Sequence, residues 1–240
     1  MVGACHLVPP HQGERMKLWH ISDTHSLHKQ LAVPEGIDIV VHSGDATNWR
    51  DPIYNEHELR SFIDWFATLP MPTKIFVPGN HDTSLEKGLI TRELIENSGI
   101  HLLINEERTI EGLRFWGSPF TPRYGDWAYM KDRGTINRIW DNIPEDLDVL
   151  ITHGPPYGIL DATYDHRNKV ELVGCSALRK RVTKVQPRFM LFGHIHSCDD
   201  IRNAGTRAVS GLPKTLFSNG SCCDDGKMDR LTSNGSIIDV

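Results

Sequence analysis

The chain has 240 residues, a formal net charge of -5 and a pI near 6.2. This mildly acidic balance argues against a protein whose affinity depends on neutralising many nucleic-acid phosphates. Hydrophobic residues make up 39% and charged residues 24% of the chain, which is ordinary globular usage and is enough to build a large core.

The first segment, residues 1–15, carries Pro9, Pro10 and Gly13 and lacks the apolar centre of a secretory signal. We therefore expect an N-terminal tail followed by a single domain over residues 16–240. No apolar run is long enough for a spanning helix, and the five cysteines have no Cys-x-x-Cys spacing. These features predict free thiols, a cytoplasmic location and no membrane partner.

Short apolar runs that each lead into a polar motif recur along the chain. Rich in Val, Ile and Phe, they are typical of buried strands. The runs cover residues 17–22, 37–41, 74–77, 148–152 and 188–192. Between the second and third runs, Leu59, Phe62, Ile63 and Phe66 recur at i, i+3, i+4 and i+7, which predicts a helix with one apolar face.

Weaker helical patterns cover residues 89–97 and 174–185. Gly112, between two apolar alternating stretches, predicts a hairpin. The Asn-Gly dipeptides at 219–220 and 234–235 predict further hairpins near the C-terminus. Together the elements indicate an α/β protein with mixed sheets.

The polar motifs lie in the loops just after the predicted strands. In open α/β sheets, ligands bind outside the carboxyl ends of the strands, so five motifs distant in sequence can converge on one crevice. They carry seven nitrogen and oxygen donors and no thiolate: Asp23, His25, Asp45, Asn80, His153, His194 and His196.

Such a donor set suits Mn²⁺, Fe, Zn²⁺, Co²⁺ or Ni²⁺ rather than a soft metal. Asp-x-His and His-x-His at strand ends place alternate side chains on one face, where both can reach one site. Seven ligands are too many for one tetrahedral ion, but they suffice for two ions if a carboxylate bridges them. Any one motif is weak in a chain with 13 histidines, so their joint occurrence carries the interpretation. The other histidines are interpreted as solvated or structural, with His28 and His42 nearest to the motifs.

The order Asp-x-His, Gly-Asp, Gly-Asn-His-Asp, a lone His and Gly-His-x-His resembles the calcineurin-like metallophosphoesterase superfamily, from about residue 17 to about residue 240. Residues 117–122, 125–128 and 152–156 resemble its small metallophosphoesterase domain-containing subgroup, described as class III-type phosphodiesterases. The resemblance implies a four-layer αββα sandwich with two mixed β-sheets.

The resemblance also implies roles for single residues. The first metal ion would be held by Asp23, His25 and His196. The second would be held by Asn80, His153 and His194, and Asp45 would bridge the two ions. His81 would be the catalytic histidine, and Asp82 would orient it. One departure follows the last motif, where Ser197-Cys198-Asp199-Asp200 replaces the subgroup's usual Glu-Gly and aromatic residue and alters the neighbouring substrate wall.

The function expected from these residues is hydrolysis of a small phosphodiester, including cyclic-nucleotide-like ones, by a hydroxide that bridges two divalent ions. Manganese is the first expectation for the ions, and His81 would protonate the leaving alkoxide. Asn80, His81, Arg123, Tyr124 and Trp127 are the predicted substrate contacts. For the two aromatic residues, ordinary loop packing is the competing interpretation; for Arg123 it is a solvated surface position.

Three alternatives keep part of this chemistry. Protein Ser/Thr phosphatases resemble one another in the motif Gly-Asp-x-x-Asp-Arg-Gly, which contains the bridging Asp. The Asp-Arg pair of this motif is missing from residues 44–50. A phosphomonoesterase would use the same ligands, and a nuclease would need a basic surface that the net charge does not suggest. An inactive metal- or nucleotide-binding module is the alternative of another class, and a missing ligand would be its signature.

Overall fold

The computed structural model describes residues 15–198, 200–226 and 228–240. The predicted tail, apart from Arg15, therefore lies outside the described residues. The strands are β1 (Lys17–Ile21), β2 (Ile39–His42), β3 (Thr73–Phe76), β4 (His101–Leu102), β5 (Glu106–Ile110), β6 (Leu113–Ser118), β7 (Thr121–Pro122), β8 (Met130–Lys131), β9 (Val149–Thr152), β10 (Ala162–Tyr164), β11 (Val170–Leu172), β12 (Phe189–Phe192), β13 (Gly205–Ala208), β14 (Leu216–Asn219) and β15 (Ser236–Asp239). The helices are α1 (Pro52–Thr68), α2 (Thr83–Glu86), α3 (Arg92–Asn97), α4 (Asn137–Trp140) and α5 (Ser176–Val185), with a 3₁₀ turn at His28–Gln30.

Two larger sheets organise these strands. The first has the order β15-β1-β2-β3-β4, parallel except for β15, which runs antiparallel to β1. The second has the order β13-β14-β12-β9-β6-β5, parallel at its centre and antiparallel at both edges. Both sheets are therefore mixed, and two short ribbons, β7-β8 and β10-β11, complete the strands.

Alternate side chains of the first sheet enter two different cores, as the period of a strand requires. In β2, Ile39 and Val41 belong to the core between the two sheets. Val40 between them belongs to the core that contains Phe62 and Phe66 of α1. One face of the first sheet is thus covered by the second sheet and the other by helices.

The second sheet repeats the pattern with the opposite helices. In β9, Val149 and Ile151 lie in the core between the sheets. Leu150 lies in the core that contains Trp140 of α4 and Leu178 of α5. The order of layers is helix, sheet, sheet, helix, so the expected four-layer αββα sandwich is confirmed.

Helix α1 begins where its sequence signals place it. Asp51 is the N-cap, and its side chain accepts hydrogen bonds from the backbone N–H groups of Ile53 and Tyr54, with Pro52 at the first helical position. The predicted apolar face is buried. The hairpin at Gly112 is also confirmed, since β5 and β6 pair antiparallel across a turn in which Glu111 (φ 50°) and Gly112 (φ 79°) both adopt left-handed backbone.

The predicted hairpins at the two Asn-Gly dipeptides are wrong. β14 ends at Asn219 and pairs in parallel with β12, and β15 crosses to the first sheet to pair with β1. The glycine at the second dipeptide serves a close approach: a Cβ on Gly235 would lie 2.3 Å from the backbone oxygen of His20. Asn234 uses its side chain to bind the backbone of Ala32.

Two further expectations concern the chain as a whole. Among the described helices, none combines the length and the apolar character needed to cross a membrane. Among the described residues, Cys175, Cys222 and Cys223 are free thiols. The single domain over residues 16–240 stays a prediction.

Replacing Phe115, which is fully buried in the core between the sheets, tests this packing. Phe115→Ala should lower the free energy of unfolding by about 3–5 kcal/mol because it opens a cavity that both sheets line. Urea denaturation followed by circular dichroism measures the loss. Ile53→Ala, at a position that is 64% exposed, is the control and should leave the midpoint unchanged; a similar loss in both variants would contradict the layered core.

Candidate metal centre

The seven predicted ligands converge at the carboxyl ends of the strands. Asp23 follows β1, Asp45 follows β2, Asn80 follows β3, His153 follows β9, and His194 follows β12. Each lies one to four residues beyond the last residue of its strand. Both sheets therefore contribute donors to one cleft of about 200 Å³ between their ends.

The acidic and histidine donors form three overlapping groups. Within each group the potential ligand atoms all lie within 4.8 Å of one another. The groups are Asp23 with His25 and His196, His25 with Asp45 and His81, and Asp45 with His153 and His194. The first and third correspond to the two predicted ion sites, and the second links them, because it contains His25 of the first group and Asp45 of the third.

Backbone carbonyls orient three of the imidazoles. Each accepts a hydrogen bond from a ring Nδ1, which leaves Nε2 free to face the cleft, as in metal-binding histidines. The contacts are His25 to Thr47 at 3.1 Å, His153 to Ser43 at 3.0 Å and His196 to Asp224 at 2.9 Å. The donor set and its orientation therefore fit divalent ions.

Asp23 is held by the loop that carries the last motif. Its carboxylate accepts the backbone N–H of His194 and the hydroxyl of Ser221, and it lies 3.3 Å from Nε2 of His196. Gly193 makes this possible, because a Cβ there would lie 2.1 Å from Oδ2 of Asp23. Gly193 thus allows the loop after β12 to lie against Asp23 in the loop after β1.

Asp45 is oriented by its neighbours on both sides. The backbone N–H of His81 donates to Oδ1 at 2.7 Å, and Nε2 of His153 lies 3.2 Å from Oδ2. Gly79 allows this contact, since a Cβ there would lie 2.3 Å from Oδ1 of Asp45.

The amide of Asn80 has a defined orientation. Its Oδ1 lies 3.0 Å from Nε2 of His153, and its Nδ2 donates to the hydroxyl of Tyr124 at 3.1 Å. The amide oxygen therefore faces the other donors. Tyr124, a predicted substrate contact, lines the cleft and supports this orientation.

Four of the ligand positions adopt left-handed backbone. The φ angles are 51° at Asp23, 40° at His25, 57° at Asp45 and 69° at His194. Such a conformation is uncommon for residues other than glycine and costs on the order of 1–3 kcal/mol each. Asp and His tolerate it better than β-branched residues do, which matches the residue types found here.

Asp82 does not make the contact with the His81 ring that we expected. Its buried carboxylate accepts the backbone N–H groups of residues 45, 46, 47 and 79. The ring of His81 instead has its Nδ1 3.1 Å from the carbonyl oxygen of Asn48. The carbonyl therefore performs the orienting role, and the carboxylate holds the loops.

Trp127 lies on His81 rather than projecting freely. The two rings are stacked with centroids 4.2 Å apart and planes 28° apart. The guanidinium of Arg50 lies 5.2 Å from the centre of the Trp127 ring. These contacts give Trp127 a packing role beside the imidazole, in addition to its predicted role as a substrate contact.

Arg123 turns away from the donors. Its Nε binds Asp132 at 2.8 Å, and it is not among the described residues that line the cleft. The structure therefore supports the interpretation of Arg123 as a solvated surface residue rather than as a substrate contact.

The departure after the last motif forms a support for His196. The hydroxyl of Ser197 accepts the N–H groups of Asn203 and Ala204, and Asn203 donates to the carbonyl of His196 at 2.8 Å. Ser197 and Cys198 line a neighbouring cavity of about 630 Å³, which shares Asp225 and Gly226 with the cleft but not the donors. The wall of the cleft on this side is instead formed by Asp225, Gly226 and Met228, which the sequence motifs did not indicate.

The carboxylates and imidazoles of this cleft shift one another's pKa values. Burial opposes ionisation, yet His196 holds the pKa of Asp23 well below its usual range, and His153 does the same for Asp45. Burial lowers the pKa of His25 and His194 to about 3, so both rings are neutral.

The other two histidine ligands, His153 and His196, are protonated. Although burial opposes their charged form, Asp45 raises the pKa of His153 and Asp23 raises that of His196, in each case to about 9. Each carboxylate thus holds one imidazolium, and a divalent cation would replace the proton of each pair.

The histidines nearest to the motifs are structural. His42 lies 3.0 Å from the hydroxyl of Thr24 and packs edge-on against Phe62. His28 packs against Phe62 and Trp65. Both are buried behind the site and are not among the described residues that line the cleft.

Comparison with known proteins agrees with this geometry. The sequence model of the calcineurin-like phosphoesterase family matches residues 16–198. The chain is 33% identical over 228 residues to the human protein named metallophosphoesterase domain-containing protein 1, covering 85% of this chain and 65% of that protein. It is 32% identical over 237 residues to a UPF0046 protein of Caenorhabditis elegans, covering 91% of this chain and 74% of the relative. This chain therefore spans slightly less than two thirds of the human relative.

The solved structure of phosphopantetheinyl hydrolase from Mycobacterium tuberculosis superposes with a TM-score of 0.57 at 14% sequence identity. The match covers 87% of this chain and 90% of that protein. At this identity the likeness shows a shared fold alone.

A methyl group at Gly193 should disrupt the centre. Gly193→Ala places its Cβ against Asp23 and Ser22, so we expect at least a tenfold loss of Mn²⁺ affinity by isothermal titration calorimetry. Gly211→Ala, where no atom lies within 4 Å of the added Cβ, is the matched control. Equal affinity in the two variants would show that the approach of Gly193 to Asp23 does not build the site.

The protonated pairs predict a pH dependence for metal binding. Because His153 and His196 hold protons below about pH 9, each ion must displace one proton, and its apparent affinity should fall about tenfold per pH unit from pH 8 to pH 6. Titration calorimetry at pH 7 in two buffers of different ionisation enthalpy counts the released protons. A count of zero would contradict the two pairs.

Proposed function

Because the chain belongs to the calcineurin-like phosphoesterase family and, within it, to the small metallophosphoesterase subgroup, we propose that it hydrolyses small phosphodiesters with the help of two divalent metal ions. The proposal includes cyclic-nucleotide-like diesters among the substrates. Manganese is the proposed metal, and the same donors suit Fe, Zn²⁺, Co²⁺ and Ni²⁺. A cytoplasmic location is part of the proposal and accords with the free thiols.

The observation that carries the proposal is the position of Asp45. Its carboxylate belongs to the group of the second site and lies within 4.8 Å of the ligand nitrogen of His25 in the first, which supports two ions held close together, as in two-metal phosphoesterases. Asp23, His25 and His196 would complete one site, and Asn80, His153 and His194 the other. When bound, the ions supply Lewis-acid charge that activates water and offsets charge on phosphoryl oxygens.

The charge of the occupied cleft favours a phosphate ester. The proposed ligands carry two negative charges, from Asp23 and Asp45, and two divalent ions would exceed them by two positive charges. An anionic phosphodiester or its pentacoordinate transition state is then attracted electrostatically. This local excess exists even though the net charge of the chain is -5.

His81 is the proposed general acid. Its Nδ1 is bound to the carbonyl of Asn48, so Nε2 is the nitrogen that can protonate a departing oxygen. A carbonyl accepts a hydrogen bond from the neutral ring and from the imidazolium alike. The stacked face of Trp127 adds favourable electrostatics for the charged ring.

Tyr124 is the proposed second contact to the substrate. Its hydroxyl accepts a hydrogen bond from Asn80, which leaves the phenolic proton available for a phosphoryl oxygen. Burial raises the pKa of this phenol, and so the proton is retained at neutral pH.

The alternatives differ in substrate or in activity. A phosphomonoesterase would use the same ligands, and only rates separate it from a diesterase. A protein phosphatase is disfavoured by the missing Asp-Arg pair after Asp45. An inactive binding module is disfavoured because all seven donors and His81 converge.

Substrate class is decided by rates at a fixed Mn²⁺ concentration. We expect bis-p-nitrophenyl phosphate to be hydrolysed at least tenfold more efficiently, as kcat/KM, than p-nitrophenyl phosphate, and a panel of cyclic nucleotides then tests natural diesters. A dominant monoester rate would replace the diesterase proposal with a monoesterase. No turnover with Mn²⁺, Co²⁺ or Ni²⁺ would favour the binding module.

His81→Ala separates proton transfer from metal binding. Loss of the general acid should lower kcat by about 10²–10⁴-fold, while the Mn²⁺ stoichiometry measured by calorimetry stays at two. His57→Ala, on the exposed face of α1, is the matched control and should keep both values. Equal loss of metal and turnover in His81→Ala would make the histidine a ligand instead.

A further inference from the structure

A second cavity of about 360 Å³ adjoins the metal cleft. The two share Tyr124 and His194, whereas His81 lines the cleft but not the cavity. Its volume is in the range of small-molecule sites. A group attached to a phosphate in the cleft can therefore extend directly into it.

The walls of this cavity are mainly apolar. Pro122, Pro155, Val173 and Ile195 line it, together with Gly154 and Gly174, which contribute no side chains. Ile195 lies between His194 and His196, so the same segment contributes to both the metal cleft and the apolar wall. Burial of a ring against such a surface is favourable at about 25 cal/mol per Å² of apolar area.

One cation lines the cavity. Arg133 donates from Nη1 to the carbonyl of Gly174 at 3.2 Å and from Nη2 to that of Val173 at 2.9 Å. These bonds use two of the five N–H groups of a guanidinium. Among the described residues no carboxylate forms an ion pair with Arg133, so donors remain for an acceptor on a ligand.

The position of the cavity selects one of the two ester groups. His81 serves the departing oxygen, and the cavity borders His194 instead. The group in the cavity is then the one that stays on phosphorus.

Resting on the proposed function, we propose that this cavity binds the retained substituent of the phosphodiester and that it selects an aromatic ring carrying a hydrogen-bond acceptor. The apolar walls take the ring, and Arg133 binds the acceptor. A rigid ring loses less conformational freedom on binding than an alkyl chain, which strengthens the preference.

A series of p-nitrophenyl diesters with a varied second substituent tests the cavity. Water attacks phosphorus, the bond to the p-nitrophenyl oxygen breaks, and p-nitrophenolate leaves, while the second substituent remains as a phosphate monoester. We expect kcat/KM to rise at least tenfold from methyl to phenyl, and a further threefold or more from phenyl to 4-carbamoylphenyl, whose carbonyl can meet Arg133.

Variants test whether the apolar lining causes the preference for the phenyl ring and whether Arg133 causes the preference for the carbamoyl group. Val173→Trp fills the cavity, and its phenyl-to-methyl ratio should fall below about three; Thr163→Trp, from the neighbouring strand β10, is a second filling variant. Arg133→Met should erase only the advantage of the carbamoyl group. Val170→Trp and Arg138→Met, at exposed positions outside the cavity, are the controls and should keep the wild-type ratios.

Binding of phenylphosphonate and methylphosphonate to the Mn²⁺-loaded protein reads the cavity without turnover. At least tenfold tighter binding of the phenyl compound, lost in either filling variant, supports the proposal. Equal binding of the two, or an unchanged ratio in both filling variants, overturns it. If no diester is hydrolysed, the proposed function fails, and the phosphonate ratio alone decides the cavity.

Discussion

The buried carboxylate of Asp82 holds the centre of the site in place. It accepts backbone N–H groups from Asp45 and its two successors and from Gly79, and so ties the loop after β2 to the loop after β3. Burial and the nearby Asp45 raise the pKa of Asp82 to about 7, and the hydrogen bonds that its carboxylate accepts oppose this shift, because they favour the ionised form. The position of Asp45, the proposed bridging ligand, is therefore set by a residue that does not face the cleft. From this anchor, the N–H of His81 reaches Asp45, and the remaining ligands converge around it.

Holding ligands at this density requires backbone that the chain would not adopt by itself. Asp23 and Asp45 have positive φ, and Gly193 and Gly79 bring main chain against their carboxylates. The packed sheets on either side compensate for this strain, since buried apolar strands outweigh a few kcal/mol of local cost. The same crowding leaves carboxylate–imidazolium pairs wherever a cation does not separate the groups. Metal binding, protonation and backbone strain are thus one coupled property of the strand ends.

The resemblance of the motifs to a known family predicted the four layers, and strand periodicity with motif position was sufficient to predict the convergence of the seven donors. The alternation of buried and exposed side chains along a strand is a local property of the sequence. A motif that follows a parallel strand lies at the carboxyl edge of the sheet, where ligands bind. Contacts made by the backbone leave no such signal. The carbonyl of Asn48 replaced Asp82 as partner of the His81 ring because any residue type supplies a carbonyl. For the same reason, Asn234-Gly235 was mistaken for a turn, although its glycine serves an approach to a strand distant in sequence.

The two ends of the cleft differ in a way that gives a bound diester one direction. At the His81 end, the ring of Trp127 is stacked on the imidazole, and Arg50 lies near the indole. At the other end, Tyr124 and His194 open onto an apolar cavity. If the cavity binds the retained substituent as proposed, a diester with one small and one ring-sized substituent is expected to bind with the ring in this cavity, away from His81. Beside Asp45, each proposed ion site has two imidazoles and one side-chain oxygen, and neither set contacts the ester substituents, so we expect selectivity between the two ester bonds to come from this asymmetry of the walls.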